Sequence, residues 1–160
     1  MPQAQHSVTI SRPVADVFAY VADGEKCTEW RSGVLDIRRA TGDGSVGTTY
    51  QQGVKGPMGR RIAADYMVTA YEPNRRLEFQ TVTGPARPHG RYNFEEADGG
   101  TRLTFALDAK VGGLAGLFMN GMVQRTMDSE VKAIERLKSV LEAQPVGASS
   151  GAGAAQSPRD

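Results

Sequence analysis

The chain has 160 residues, of which 39% are hydrophobic and 23% charged, the balance of one globular domain with one core and not of a disordered chain. Nineteen basic residues against 18 acidic ones leave a formal charge of +1, which argues against a protein built to cover nucleic acid or an anionic membrane. A single cysteine, Cys27, excludes an intramolecular disulfide framework and a Cys-rich zinc site, and no apolar run reaches the roughly 18 residues that span a bilayer.

The opening stretch MPQAQHSVTI lacks the basic start and apolar core of a secretory signal, so a reducing cytoplasm is the expected compartment. Within it His6, Val8 and Ile10 alternate with Ser7, Thr9 and Ser11, the period of a strand. Ser11 suits a helix N-cap, and Pro13 the first helical turn, where a missing N–H costs little. Val14, Val17, Phe18 and Val21 follow at helical spacing. Asp23-Gly24 breaks this helix, and residues 25–31 predict a second short one. Turn signals then recur at Thr41 to Gly44, Gly56 to Gly59, Glu72 to Arg75, Gly84 to Gly90 and Ala97 to Gly100. The runs between them have strand length, and alternations such as Leu77, Phe79, Thr81 predict one-face-buried antiparallel strands joined as hairpins. Val123, Met127, Val131, Ile134, Leu137 and Leu141 step by three and four, a long amphipathic helix. The order is one strand, two helices, six strands and a long helix, which implies a sheet curled around that helix. From Ala143 the chain turns small, polar and aperiodic. That composition predicts a disordered tail over 143–160 behind a folded domain over 1–142.

The stretch from Ile10 to Asp23, ISRPVADVFAYVAD, followed by Trp30, resembles the opening of START-like (SRPBCC) proteins. Val68 to Phe79, VTAYEPNRRLEF, resembles the hairpin around a Glu-Pro-x-Arg turn in their polyketide cyclase/dehydrase-like branch. The resemblance covers about residues 4–142. It implies an α+β helix-grip fold: a seven-stranded antiparallel sheet curled around a long C-terminal helix, two short helices after the first strand, and a deep apolar cavity between sheet and helix. It further implies binding of a hydrophobic small molecule there, a lipid or a polyketide-like aromatic. Two alternatives stay open: a polyketide cyclase or dehydratase acting in the same cavity, and an interaction module working as a dimer or on a partner protein.

Strand parity turns Tyr92 and Phe94 inward with Phe79 and Phe105; on the earlier strands Tyr50 and Gln52 share a face, as do Tyr66 and Val68 on theirs, and these too are candidates to face the cavity. On the helix Asn120, Gln124, Met127 and Val131 form one row. Phe118 and Met122 belong to a glycine-rich segment, residues 111–122, whose four glycines would each cost about 1 kcal/mol inside a helix. That segment is either a deformable gate over the cavity or a loop before a helix starting near Gly121. A pocket of aromatics, methionines and a few amides suits a flat or greasy ligand with one or two polar groups. The plainer alternatives are that Phe79, Phe94, Phe105 and Met127 are simple core, that the tyrosines pack on the sheet with hydroxyls at the surface, and that Asn120 lies at a frayed helix start. Trp30 is expected to plug the core beside the two short helices.

Catalytic motifs are missing from the pattern. His6 and His89 are distant in sequence, no zinc-ligand spacing occurs, and no Gly-x-Ser-x-Gly elbow is present. No catalytic residue, metal or cofactor is therefore assigned. Cys27 is expected to be a half-buried structural thiol. Proton transfer near a polyketide chain would fall to Asp65, His89, Arg91 or Tyr92. Of these Asp65 and Arg91 fall outward, His89 sits by a turn, and Tyr92 points inward. Arg60 or Arg61 is a candidate guard of an opening, drawing in an acidic ligand. The expected partner is a hydrophobic small molecule, with no nucleic acid and no stable membrane insertion, and with a homodimer left open.

Overall fold

The computed structural model describes residues 3–84, 86–109 and 113–144, with all their side chains except those of Pro57 and residues 113–120. Strand β1 (Gln3–Ile10) leads into helix α1 (Val14–Ala22), a 3-10 turn (Gly24–Lys26) and the single-turn helix α2 (Cys27–Trp30). Then come β2 (Val34–Thr41), β3 (Thr49–Lys55), β4 (Arg61–Ala63), β5 (Tyr66–Glu72), β6 (Arg76–Thr81), β7 (His89–Ala97) and β8 (Gly100–Asp108). Helices α3 (Gly113–Val131) and α4 (Ala133–Ala143) close the described chain.

Seven strands form one curled antiparallel sheet in the order β1-β8-β7-β6-β5-β3-β2. The first strand returns to pair with the last from Gln3↔Asp108 to Ile10↔Thr101. β4 is an addition to the expected seven: three residues that pair with β3 alone. It occupies the flank where β3 and β5 pair over only two positions, Thr49↔Met67 and Tyr50↔Tyr66. The β7–β8 hairpin turns on Asp98 and Gly99, both at positive φ, the backbone that matches a tight turn to the twist of its strands.

The apolar stripe of the long helix is the core contact expected. Val123, Met127, Val131, Ile134, Leu137 and Leu141 are all buried, and the helices lie against β1, β8 and α2. The long helix expected from that stripe is interrupted at Lys132. Its C-terminal carbonyls are satisfied by a side chain from far away in sequence: the Arg12 guanidinium donates to the carbonyls of Glu142 and Gln144, groups that a helix end cannot satisfy itself. Ser11 is not the N-cap of α1. The helix begins after Pro13 with no side-chain cap, and the Ser11 backbone N–H instead donates to Glu142 Oε2 at 2.8 Å.

Candidate ligand-binding site

Five aromatic side chains cross the inner face of the sheet on five neighbouring strands. Tyr50 stacks on Tyr66 with ring centroids 5.0 Å apart, Tyr66 meets Phe79 at 5.1 Å, Phe79 meets Tyr92 at 6.1 Å, and Tyr92 stacks on Phe105 at 4.2 Å. Such pairs contribute about 0.5–1.5 kcal/mol each beyond their burial. Gly90, paired with Phe79 across β6 and β7, makes the row continuous. A Cβ there would lie 2.2 Å from the Phe79 ring, so only glycine lets that ring lie flat over the strand.

The row floors a cavity of about 20 Å³, room for about one water. Its roof is the segment between β1 and β2, which supplies Val21 and Ala22 from α1, Gly24 from the 3-10 turn, Cys27 from α2 and then Arg31. The floor supplies Tyr50, Tyr66, Val68, Leu77, Phe79 and Tyr92. The described cavity thus lies under the two short helices, where the resemblance pointed to a space under the long one. Gly24 sets how closely roof and floor meet: a Cβ on it would be 2.6 Å from both the Tyr50 ring and the Tyr66 hydroxyl.

Arg31 is the residue missed by sequence reasoning. It is only 6% exposed, and a charge this deep requires partners. Its Nε donates to Glu130 of α3. Its Nη1 donates to Gln52 Oε1 at 3.2 Å and lies 3.7 Å from the Cys27 sulfur. Gln52 is held for this task, since its Nε2 donates to the Ala64 carbonyl at 3.0 Å. Burial works against the guanidinium charge, but Glu130, followed by Cys27, Tyr92 and Tyr66, outweighs it and holds Arg31 well above its ordinary pKa. Burial pushes the Tyr66 and Tyr92 phenols well up, against the opposing pull of Arg31. It also raises the Cys27 thiol. At neutral pH the polar end of the cavity is one permanent cation among neutral hydroxyls and a neutral thiol, an arrangement that favours an oxygen-rich or anionic partner.

Of the residues singled out from the sequence, Tyr50, Tyr66, Phe79 and Tyr92 line this cavity. Gln52 stands behind it on Arg31. Phe94, Phe105 and Met127 are buried in the surrounding core, Phe94 edge-on to Phe18. Gln124 is turned away: its amide bonds the backbone N–H and carbonyl of Gln3 on β1, because three residues of helix rotate it off the line of Met127. Met122 is 47% exposed. The side chains of Phe118 and Asn120 lie outside the described residues, but the backbone of 113–122 is helical, so α3 begins at Gly113 and not near Gly121 after a loop.

Cys27 is fully rather than half-buried. Asp65 is only part-outward, its Oδ1 accepting the Gln52 backbone N–H. His89 bonds Glu78 at 2.9 Å and faces Asp108 at 3.5 Å, and Arg91 is exposed. Arg60 and Arg61 do not line the cavity; they flank an outer hollow with Met58 and Ile62, where Arg61 pairs with Asp36 at 2.8 Å. Trp30 is buried against Tyr92 at 6.3 Å. Cys27, Trp30 and Arg31 stand at i, i+3 and i+4, but Arg31 is the extended residue that ends α2, so the spacing alone does not reveal its burial. Among the described residues no cluster of three or more His, Cys, Asp or Glu is placed to hold a metal ion, and no described helix is long and apolar enough to cross a membrane.

A curled antiparallel sheet gripping a C-terminal helix, with an aromatic-walled hollow inside, defines a START-like protein. The family model described as polyketide cyclase / dehydrase and lipid transport matches residues 1–142, and the chain belongs to that family. None of the curated proteins matches it. Among solved structures it is similar to TTHA0849 from Thermus thermophilus, with 19% identity, 90% of this chain and 100% of that one covered, and a TM-score of 0.76. It is also similar to a START superfamily protein from Mycobacterium smegmatis, with 16% identity, 87% and 98% covered, and a TM-score of 0.69. The di-domain ARO/CYC StfQ from the steffimycin biosynthetic pathway shares 12% identity, with 88% of this chain and 50% of that one covered, at a TM-score of 0.72. At these identities the likeness is one of fold.

Proposed function

We propose that the protein binds a hydrophobic small molecule, a lipid or a polyketide-like aromatic, between the aromatic row and the α1–α2 roof. The observation that carries this is Arg31, a buried cation at the end of an aromatic-walled hollow. Ligand sites join a mostly apolar wall to a few placed polar groups, and the wall here supplies the stacking surface while Arg31 and the phenols supply the polar end. Sites for drug-sized molecules run to about 300–1,000 Å³, far above the cavity's present volume, so binding requires the roof to lift from the floor. The protein then acts in the cytoplasm, on a small molecule and not on nucleic acid.

The same cluster supports a second reading, a cyclase or dehydratase. A guanidinium and neutral phenols placed together would polarise the carbonyl of a poly-β-keto chain, and holding a flexible chain in one fold removes entropy from the reacting geometry. Native mass spectrometry of freshly purified protein, with solvent extraction of whatever is released, tests both. A stoichiometric apolar adduct is expected, and its turnover on incubation would favour the enzyme. A bare protein that also fails to respond to a panel of lipids and aromatic polyketides in thermal-shift assays would reject both. The same spectra tell monomer from homodimer.

A further inference from the structure

Among the described residues, the carboxylate that answers Arg31 comes from outside the cavity wall. Glu130 reaches in from α3, two residues before the helix is interrupted at Lys132. Its other oxygen, Oε1, lies over Gly33 at the start of the chain's run into β2. The two partners differ in access: the Arg31 side chain is 7% exposed and the Glu130 side chain 19%. Glu130 therefore has the shorter path to water of the two. None of the cavity's wall residues is an aspartate or glutamate. The guanidinium has five N–H donors, and the described partners engage Nε and Nη1, while no described residue accepts from Nη2.

We infer that the ligand carries an acidic oxygen group, such as a carboxylate, which takes the place of Glu130 on Arg31 and frees that side chain toward solvent. This rests on the cavity being a site for hydrophobic molecules and adds the chemical class of the ligand's head. The argument is one of charge balance. A neutral ligand that pushed Glu130 aside would leave Arg31 buried without a counter-charge, which is strongly unfavourable. An acid exchanges one carboxylate for another, keeps the bidentate-capable guanidinium paired, and leaves the displaced charge in water. The Arg31–Glu130 pair then acts as a catch between the roof and α3 that acidic ligands release and uncharged ones do not.

The test compares oleate with oleyl alcohol and 2-naphthoate with methyl 2-naphthoate. Binding is followed by fluorescence of Trp30, the single tryptophan, which packs on Tyr92 beside the cavity. The wild-type protein is expected to bind at least one acid tenfold or more tightly than its neutral counterpart. Glu130→Gln, which removes the competing charge, should improve acid binding about tenfold more than it changes binding of the neutral counterpart. Arg31→Gln should abolish the preference. Equal binding of acid and neutral partner by the wild type would overturn the exchange while leaving hydrophobic binding intact, and that comparison needs no variant to fold. A gain in Glu130→Gln no larger for the acid than for its neutral counterpart would also overturn it. If none of the four molecules binds the wild type, the exchange and the hydrophobic site fall together.

Discussion

Arg31 and Glu130 form one ion pair with unequal members, and the inequality has a measurable consequence. Removing Glu130 strands a nearly buried charge, whereas removing Arg31 leaves a carboxylate that can turn outward more readily. Glu130→Gln is therefore expected to cost about 3 kcal/mol of folding stability, near the low end for breaking a buried pair. Arg31→Met should cost less, about 1–2 kcal/mol, chiefly from the acceptor on Gln52 that loses its donor. Replacing both by apolar residues should recover most of the loss, since a buried pair is often matched by well-packed apolar groups of similar size. Urea unfolding of the three variants checks the order. Arg31→Met costing more than Glu130→Gln would mean that the guanidinium is hydrated in solution and that the asymmetry is wrong. At this scale the sequence was least informative. Tyr50, Tyr66, Phe79 and Tyr92 could be placed on the inner face from alternation alone. Arg31 could not, because the sign of its burial depends on a carboxylate 99 positions away.

Among the elements, α4 is clasped to the first strand by a relay at its C-terminal end. Lys138 Nζ donates to the Thr9 carbonyl at 2.6 Å and to Glu142 Oε2 at 2.8 Å, and the same oxygen accepts from the Ser11 N–H. The bond from Lys138, then that from Ser11, holds the Glu142 carboxyl below its usual pKa. The sign follows from linkage. A carboxyl with a depressed folded pKa binds protons less readily in the folded state, so its stabilisation is present above the unfolded value of about 4.3 and is lost as pH falls through the folded one. Glu142→Gln is expected to cost about 0.5–1 kcal/mol at pH 7, kept small because the carboxylate is partly solvated. The deficit should shrink toward zero as both proteins are taken into acid. A deficit that stays constant from pH 7 to pH 3 would assign the loss to packing instead.

Element order was legible for a related reason. Strand and helix periods report only which face is buried, and β6, β7, β8 and the α3–α4 stripe each have one clean buried face. Ser11 and β4 were misjudged or missed because their roles come from partners elsewhere, Glu142 for the one and β3 for the other.

At the scale of the whole molecule, the two walls of the cavity differ in how they are held. The floor is a continuous ladder in which β7 and β8 pair at nine positions from His89↔Asp108 to Ala97↔Gly100. The roof is a nine-residue helix without a side-chain cap, one 3-10 turn and a four-residue helix. Helices this short have no stability of their own in water, so the roof stands on its tertiary contacts: Phe18 edge-on to Tyr71 and Phe94, Trp30 on Tyr92, and the Arg31–Glu130 pair. Segments held in this way open ahead of the global transition, which is what a ligand needs if it is to enter a cavity of about 20 Å³. Amides of residues 14–30 should therefore exchange with deuterium at least about tenfold faster than those of 89–108, a difference of about 1.4 kcal/mol in opening free energy. A bound ligand should bring the two regions closer together. Because Glu130 fastens the roof to α3, Glu130→Gln should speed exchange in 14–30, and by the same loss of folding stability in 89–108 wherever exchange there requires global unfolding. Equal protection of roof and floor in the wild type would mean that the molecule opens only by unfolding as a whole, and the ligand's way in would then have to lie elsewhere.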